Sequence, residues 1–157
     1  MSDNPEIIAL FDKLVSLQRT LREKCPWDKE QTHESLKKYL IEEAYEVLEA
    51  IEQGHDEEFS EELGDLLYQI LFHAQIAQEQ GRFSLVDVLT HLIEKMTRRH
   101  PHVFGETQVS TADEVRSQWN QIKSKEKPHK EYLGSGCPKH LPALLRAQRI
   151  TADASEL

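Results

Sequence analysis

The chain contains 157 residues, of which 38% are hydrophobic and 30% are charged, and its formal net charge is -9 at pH 7. This length suits one domain, and the composition is that of a folded protein rather than a disordered one. The negative charge argues against a nucleic-acid partner and favours divalent cations. No apolar run approaches the roughly 20 residues that a membrane span requires, and the first residues lack the features of a signal peptide. We therefore expect a cytoplasmic protein with no membrane or nucleic-acid partner.

Helix signals dominate the first half of the chain. The first predicted helix runs from about Pro5 to Lys24, with proline in its first turn and apolar residues on one stripe. The segment Cys25-Pro26-Trp27-Asp28 ends it. A second helix begins at the N-cap Thr32 and ends at Gly54, and a third runs from about Asp56 to Gln80. The two cysteines, Cys25 and Cys137, are far apart in sequence and are expected to be free thiols.

The second half continues the helical pattern. The remaining predicted elements are a helix from Ser84 to His100, a loop from Pro101 to Ser110, a helix from Thr111 to about Lys125, and a short helix from Leu141 to Ala154. Residues from Lys127 onward are rich in Pro, Gly and Lys, which predicts a flexible segment. We therefore predict an all-α bundle of about five helices in residues 1–126, followed by a flexible tail with a short C-terminal helix in residues 127–157.

The third helix is apolar on two sides. Leu63, Leu67 and Ile70 lie on one face, whereas Phe72 and Ile76 lie on the other. A helix with two apolar faces is packed from both sides. In a chain this small, the second packing partner is expected to be another subunit, so we predict a homodimer whose interface includes this helix.

Acidic residues are clustered on the second and third helices. Residues three apart share a helix face, so Glu43 lies beside Glu46, and Glu62 lies beside Asp65. A single such pair is usually a solvated surface feature. Two pairs that both border apolar residues favour a cation, because like charges held together are costly without one. Oxygen ligands favour magnesium, or manganese, over zinc. Gly64 lies between these acids and suggests close approach of another backbone or a ligand.

The fourth helix ends with Lys95, Arg98 and Arg99. Basic residues at a helix C-terminus favour the helix dipole, which is a sufficient structural reason for them. Lys95 and Arg99 are also four residues apart, so they form a pair that can hold phosphate oxygens.

Four motifs in this order resemble the MazG family of nucleoside triphosphate pyrophosphohydrolases, over about residues 14–145. They are C-P-W-D from Cys25, E-E-A-Y-E from Glu42, E-E-L-G-D from Glu61, and R-R-H-P-H-V-F from Arg98. The resemblance implies a helical bundle completed by dimerisation and magnesium-dependent hydrolysis between the α and β phosphates. It also implies metal ligands at Glu43, Glu46, Glu62 and Asp65, with Glu61 nearby. The phosphate-contacting residues it implies are Lys95 and Arg99 or Arg98.

In the mechanism that we expect, Glu46 or Glu61 takes the proton of the attacking water, and Trp27 stacks on a base or, more often for such a residue, fills a helix junction. Two alternatives stay open at this point. One is a relative with a narrow substrate, such as a dUTP, dCTP or phosphoribosyl-ATP pyrophosphohydrolase. The other is a structural or dimerisation domain with weak catalysis, because longer family members carry two such domains and Ile93 replaces an expected asparagine.

Overall fold

A computed structural model of the chain describes residues 4–126 and 137–155, and within them it contains helices and no strand. The helices of this described part are α1 (Pro5–Lys24), α2 (Pro26–Glu30), α3 (His33–Gln53), α4 (Asp56–Glu79), α5 (Leu85–Arg99), α6 (Pro101–Phe104), α7 (Ala112–Glu126) and α8 (Ala143–Ser155). The predicted all-α fold is therefore confirmed. The short helices α2 and α6 were not predicted; they begin at Pro26, in the segment that we expected to end α1, and at Pro101, where we expected a loop.

The contacts divide the chain into two units, Met1–Leu92 and Ile93–Leu157. The predicted division at residue 126 was based on composition and stays a prediction. Residues 127–136 of the predicted flexible tail lie outside the described residues, the described part of the tail contains α8, and the flexibility of the tail stays a prediction. No helix of the described residues combines the length and the apolar character needed to cross a lipid bilayer.

An antiparallel hairpin of α3 and α4 forms the centre of the first unit. The Thr32 side chain caps α3 by accepting a hydrogen bond from the backbone N–H of Ser35, and the Ser35 hydroxyl accepts one from the backbone N–H of Thr32. Gly54 ends α3 with a φ of 72°, a left-handed conformation that glycine adopts at little cost. The chain can therefore reverse within two residues and lay α4 back along α3.

The core lies at the end of the hairpin remote from that turn. Leu36 of α3 packs there against Phe72 and Ile76 of α4, and these three side chains are at most 2% exposed. Tyr39 and Tyr68 cover the cluster. Every buried residue of α4 lies at or after Gln69.

Arg22 holds α1, α2 and α4 together. Its guanidinium donates to the backbone carbonyls of Asp28 and Gln31 and forms an ion pair of 2.5 Å with Glu79. The neighbouring Asp28 is buried and accepts a hydrogen bond of 3.5 Å from the Tyr68 hydroxyl. Burial and the charge of Asp28 raise the pKa of Tyr68 to about 12, so this hydroxyl remains a donor throughout the physiological range.

The two faces of α4 have different environments. Phe72 and Ile76 are buried as predicted, but Leu63 and Ile70 are each 44% exposed and Leu67 is 37% exposed. Exposed apolar residues also follow α3; they are Ile41, Tyr45, Leu48 and Ile51. A β-carbon added to Gly64 would meet no atom within 4 Å, so no described part of this chain makes the close approach that we expected there.

The second unit contains the end of α5, then α6, α7 and α8. His100 closes α5 by contacting the Met96 carbonyl at 2.6 Å, and its ring lies edge-on to Trp119 with ring centroids 5.0 Å apart. His102 contacts the Gln118 side chain at 3.1 Å. Through these contacts both histidines fix the C-terminal end of α5. Cys25 and Cys137 are free thiols, as predicted.

Candidate metal centre

Three carboxylates meet where α3 and α4 pass each other in the first unit. Glu43 comes from α3, and Glu62 and Asp65 come from consecutive positions on one face of α4. Each offers one oxygen atom, and these three oxygens lie within 4.8 Å of one another. The spacing within each helix and the antiparallel pairing of the helices together bring residues about 20 positions apart into one site.

The site concentrates negative charge. Partial burial raises the pKa of Glu43, and the charges of Asp65 and Glu46 raise it further. Partial removal from water also raises the pKa of Glu62, and the charges of Glu46 and Asp65 add to the effect, followed by Glu61. Glu46 therefore lies close enough to act on both Glu43 and Glu62, whereas Glu61 acts on Glu62. The predicted set of Glu43, Glu46, Glu62 and Asp65 forms one electrostatic cluster, and its role as a ligand set stays a prediction.

A buried amide borders this cluster. The Gln69 side chain, one turn after Asp65, is 8% exposed, and its Nε2 donates to Glu43 Oε1 at 3.4 Å. This bond partly offsets the rise in the pKa of Glu43. The Gln69 Oε1 atom is buried and has no hydrogen-bond partner among the described residues.

These features suit a divalent metal ion. A set of carboxylate oxygens is the donor set of hard cations such as Mg²⁺ and Mn²⁺. Partial burial and then mutual repulsion raise the pKa of Glu43 and Glu62, and a cation would remove that repulsion. The arrangement is thus chemically suited to hold a cation that has coordination positions left for water or phosphate oxygens.

Trp27 lies outside this group of carboxylates. It belongs to α2, its side chain is 50% exposed, and its ring contacts Tyr39 edge-on with centroids 6.0 Å apart. Trp27 is therefore not buried in a helix junction, although that is the more frequent role of such a residue. Its proposed stacking on a base stays a prediction.

The predicted phosphate-binding residues belong to the second unit. Arg98 Nε donates to one oxygen of Glu126 at 2.6 Å, and Arg99 contacts the other oxygen through Nε at 3.0 Å and through a terminal nitrogen at 2.6 Å. These bonds lower the pKa of Glu126 to about 2 and raise that of Arg98. Arg99 also lies over the Trp119 ring, 5.1 Å from its centroid. Lys95 is half-buried on the same helix.

Sequence reasoning did not assign roles to Gln69 and Glu126. The sequence does place Gln69 near the carboxylates, because Gln69 follows Asp65 by four residues and Glu62 by seven on the same helix face. No sequence pattern indicated the role of Glu126, because it is separated from Arg99 by 27 positions and the two residues come together only in the folded unit.

The sequence of this chain is similar to that of known proteins. The family described as the MazG nucleotide pyrophosphohydrolase domain matches residues 31–104, a range that contains all the carboxylates of the cluster. The chain is 50% identical over 151 residues to a Thermotoga maritima protein named nucleoside triphosphate pyrophosphohydrolase/pyrophosphatase MazG. It is 44% identical over 145 residues to an Escherichia coli K12 protein named nucleoside triphosphate pyrophosphohydrolase.

These matches cover most of this chain but only part of the relatives. They include 94% and 89% of the chain, but 58% of the Thermotoga protein and 55% of the Escherichia protein. The chain therefore spans little more than half the length of these curated relatives.

A solved structure matches over nearly its full length. The crystal structure of a mazG-related protein from Thermotoga maritima superposes with a TM-score of 0.64 at 30% sequence identity, covering 72% of this chain and 98% of that one. Both the helical architecture and the acidic motifs of α3 and α4 are thus accounted for by one group of proteins, and we conclude that this chain belongs to the MazG family.

Proposed function

We propose that this protein hydrolyses nucleoside triphosphates to a nucleoside monophosphate and pyrophosphate and that it requires magnesium. The observation that carries this proposal is the convergence of Glu43, Glu62 and Asp65, whose oxygens lie within 4.8 Å of one another. The names of the relatives support the choice of substrate class. A cation held there by protein carboxylates is typically completed by substrate phosphates.

In this proposal, Glu43, Glu46, Glu62 and Asp65 hold the cation. A bound magnesium ion supplies charge neutralisation at the phosphates and lowers the pKa of a water molecule. Glu46 or Glu61 takes the proton of the attacking water. Both side chains are exposed and both act electrostatically on Glu62, so each is near the cluster and open to solvent.

We propose that Lys95, Arg98 and Arg99 bind the phosphates. The contacts of Arg98 and Arg99 with both oxygens of Glu126 support this role, because they demonstrate a fork of donors suited to an oxyanion. Trp27, with half of its surface exposed, is the proposed stacking residue for the base.

We further propose that the protein acts as a homodimer in the cytoplasm. The exposed face of Leu63, Leu67 and Ile70 supports a dimer, since it repeats at the spacing of a packed helix. Gly64 supports it as well, because glycine costs about 1 kcal/mol relative to alanine in a helix and has no close neighbour in the described chain to justify that cost. Light scattering should give twice the mass of one chain, and Leu67→Glu should shift it to a single chain.

The deciding experiment measures pyrophosphate release from a panel of canonical and modified nucleoside triphosphates, with magnesium and with a chelator. A Glu43→Gln/Glu62→Gln variant tests the cluster. Glu49→Gln is the matched control, because Glu49 is also on α3 but bonds only with Gln53 among the hydrogen bonds described. We expect chelator-sensitive release that the double variant loses and the control retains. The panel also separates a general enzyme from one specific for dUTP, dCTP or phosphoribosyl-ATP.

One outcome would refute the enzymatic proposal. If a folded dimer released no pyrophosphate from any of these substrates, the chain would be a structural or dimerisation domain. This second candidate is supported by the length of the relatives, because the chain covers only 58% and 55% of them.

A further inference from the structure

Gln69 is a buried amide of which only the NH₂ end has a hydrogen-bond partner among the described residues. Its Nε2 donates to Glu43 Oε1 at 3.4 Å, and its Oε1 has no partner among the described residues. The side chain is 8% exposed, so bulk solvent does not satisfy that oxygen. Buried polar atoms without partners are rare in native proteins, and each one calls for a specific explanation.

The orientation of the amide follows from the charge of its neighbour. A carboxylate only accepts hydrogen bonds, so the NH₂ end of Gln69 must face Glu43 and the carbonyl end must face elsewhere. The two ends of an amide are about 2.3 Å apart, given its bond lengths. The carbonyl oxygen therefore lies within roughly 6 Å of the Glu43 oxygen, by adding this length to the 3.4 Å bond.

This position is compatible with the outer coordination shell of a cation bound to Glu43, in which an acceptor lies within about 5 Å of the ion. A magnesium ion binds water at about 2.1 Å, and the water donates to an acceptor about 2.8 Å further on. Residues that contact both a ligand and a bound water orient the ligand and tune the cation. Gln69 offers a donor to the ligand Glu43 and an acceptor for a water molecule, which are the two functions such a residue needs.

We propose that Gln69 is a positioning residue for the cation, with Nε2 fixing the carboxylate of Glu43 and Oε1 accepting a hydrogen bond from a cation-bound water. This inference rests on the proposed function, because it requires a divalent cation in the cluster. It adds a neutral residue to a site otherwise defined by carboxylates.

The chain provides a matched control on the same helix. Gln75 also donates from Nε2 to a glutamate, Glu79, at 3.0 Å, but Glu79 pairs with Arg22 and lies outside the cluster. Gln69→Met and Gln75→Met therefore remove the same amide–carboxylate bond with similar volume change. Only the first is expected to affect the cation.

The test measures Mn²⁺ binding without nucleotide, by electron paramagnetic resonance of the free ion or by calorimetry. We expect Gln69→Met to weaken binding 10- to 100-fold, the usual effect of losing an outer-shell partner, and Gln75→Met to bind like the wild type. In pyrophosphate release, Gln69→Met should need a correspondingly higher metal concentration for half-maximal activity. Its rate at saturating metal should stay within a few-fold of the wild type. A purely structural role would not shift the metal requirement in this way.

The outcomes separate the two proposals. If the wild type binds Mn²⁺ and releases pyrophosphate but Gln69→Met binds Mn²⁺ equally well, this inference is overturned and the proposed function stands. If the wild type binds no Mn²⁺, both are overturned. Circular dichroism reports folding. Should Gln69→Met not fold, Gln69→Asn retains a polar amide but is one methylene too short, and unchanged Mn²⁺ binding by that variant would overturn the inference equally.

Discussion

Replacing Glu43 by glutamine should raise the stability of the metal-free protein but reduce the stabilisation that magnesium provides. The substitution preserves side-chain shape and removes one charge from the group whose oxygens lie within 4.8 Å of one another. Because partial burial and the charges of Asp65 and Glu46 raise the pKa of Glu43, the negative charge of Glu43 is unfavourable without a cation. We therefore expect Glu43→Gln to raise the melting temperature in chelator, although it removes a ligand.

The expected effect with magnesium has the opposite sign. A ligand at 100 times its dissociation constant stabilises the folded state by about 2.7 kcal/mol. For a chain of this size each kcal/mol corresponds to about 2–4 °C, so the wild type should gain about 5–11 °C. If the loss of one carboxylate weakens binding about 100-fold, the same magnesium concentration stabilises the variant by only about 0.4 kcal/mol, or about 1–2 °C.

The assay is thermal unfolding followed by circular dichroism at pH 7, in chelator and in magnesium, for the wild type, Glu43→Gln and the control Glu49→Gln. The control makes the same charge change on the same helix, at a residue hydrogen-bonded to Gln53. It should keep the full magnesium shift. A magnesium shift in Glu43→Gln equal to that of the wild type would refute the assignment of Glu43 as a ligand.

Three more experiments test the pH dependence of the carboxylates, the ion pairs of Glu126 and the core around Phe72. The raised pKa values of Glu43 and Glu62 mean that the metal-free protein loses their stabilising contribution as the pH rises from the ordinary glutamate value of 4.5 through the raised values. Melting temperatures of the wild type minus those of Glu43→Gln/Glu62→Gln should therefore fall over that range, and a flat difference would contradict this. Glu126→Gln should release Arg98 and Arg99 from their ion pairs with Glu126. The Michaelis constant for nucleotide should then fall about two- to fivefold, which is the range that exposed ion pairs contribute. An unchanged constant would show that these arginines do not bind the phosphates. Phe72→Ala should cost about 3–5 kcal/mol in urea unfolding, because that ring is 1% exposed, whereas Phe83→Ala, at an exposed ring, should cost far less.

Helix boundaries could be predicted well because their signals are local. The Thr32 cap and the Gly54 end of α3 each depend on residues within four positions, and both were predicted and are present. The short helices α2 and α6 were missed for a related reason. Proline ends the helix before it but is also favoured in the first turn of the next, and the local sequence does not decide between these effects.

The carboxylate site could be predicted only in part. Spacing placed Glu43 with Glu46 and Glu62 with Asp65, since these are neighbours on one helix. The contact between Gln69 and Glu43 spans 26 positions and that between Arg99 and Glu126 spans 27, and such contacts depend on how helices pack. Sequence periodicity specifies a face of a helix but not the residue opposite it.

The distribution of burial along α4 explains how the chain tolerates its own acidic cluster. Every buried residue of this helix lies at or after Gln69, whereas Glu62 and Asp65 precede it. The core around Phe72 therefore fixes the second half of α4 against the first half of α3, and because helices are stiff, it also holds the opposite halves together. The carboxylates are brought together by packing at other positions of the two helices, and Glu43 adds a hydrogen bond from the buried Gln69. Consequently a core substitution that leaves the pairing of α3 and α4 intact should reduce the folded fraction, while the remaining folded molecules keep the cation affinity of the wild type.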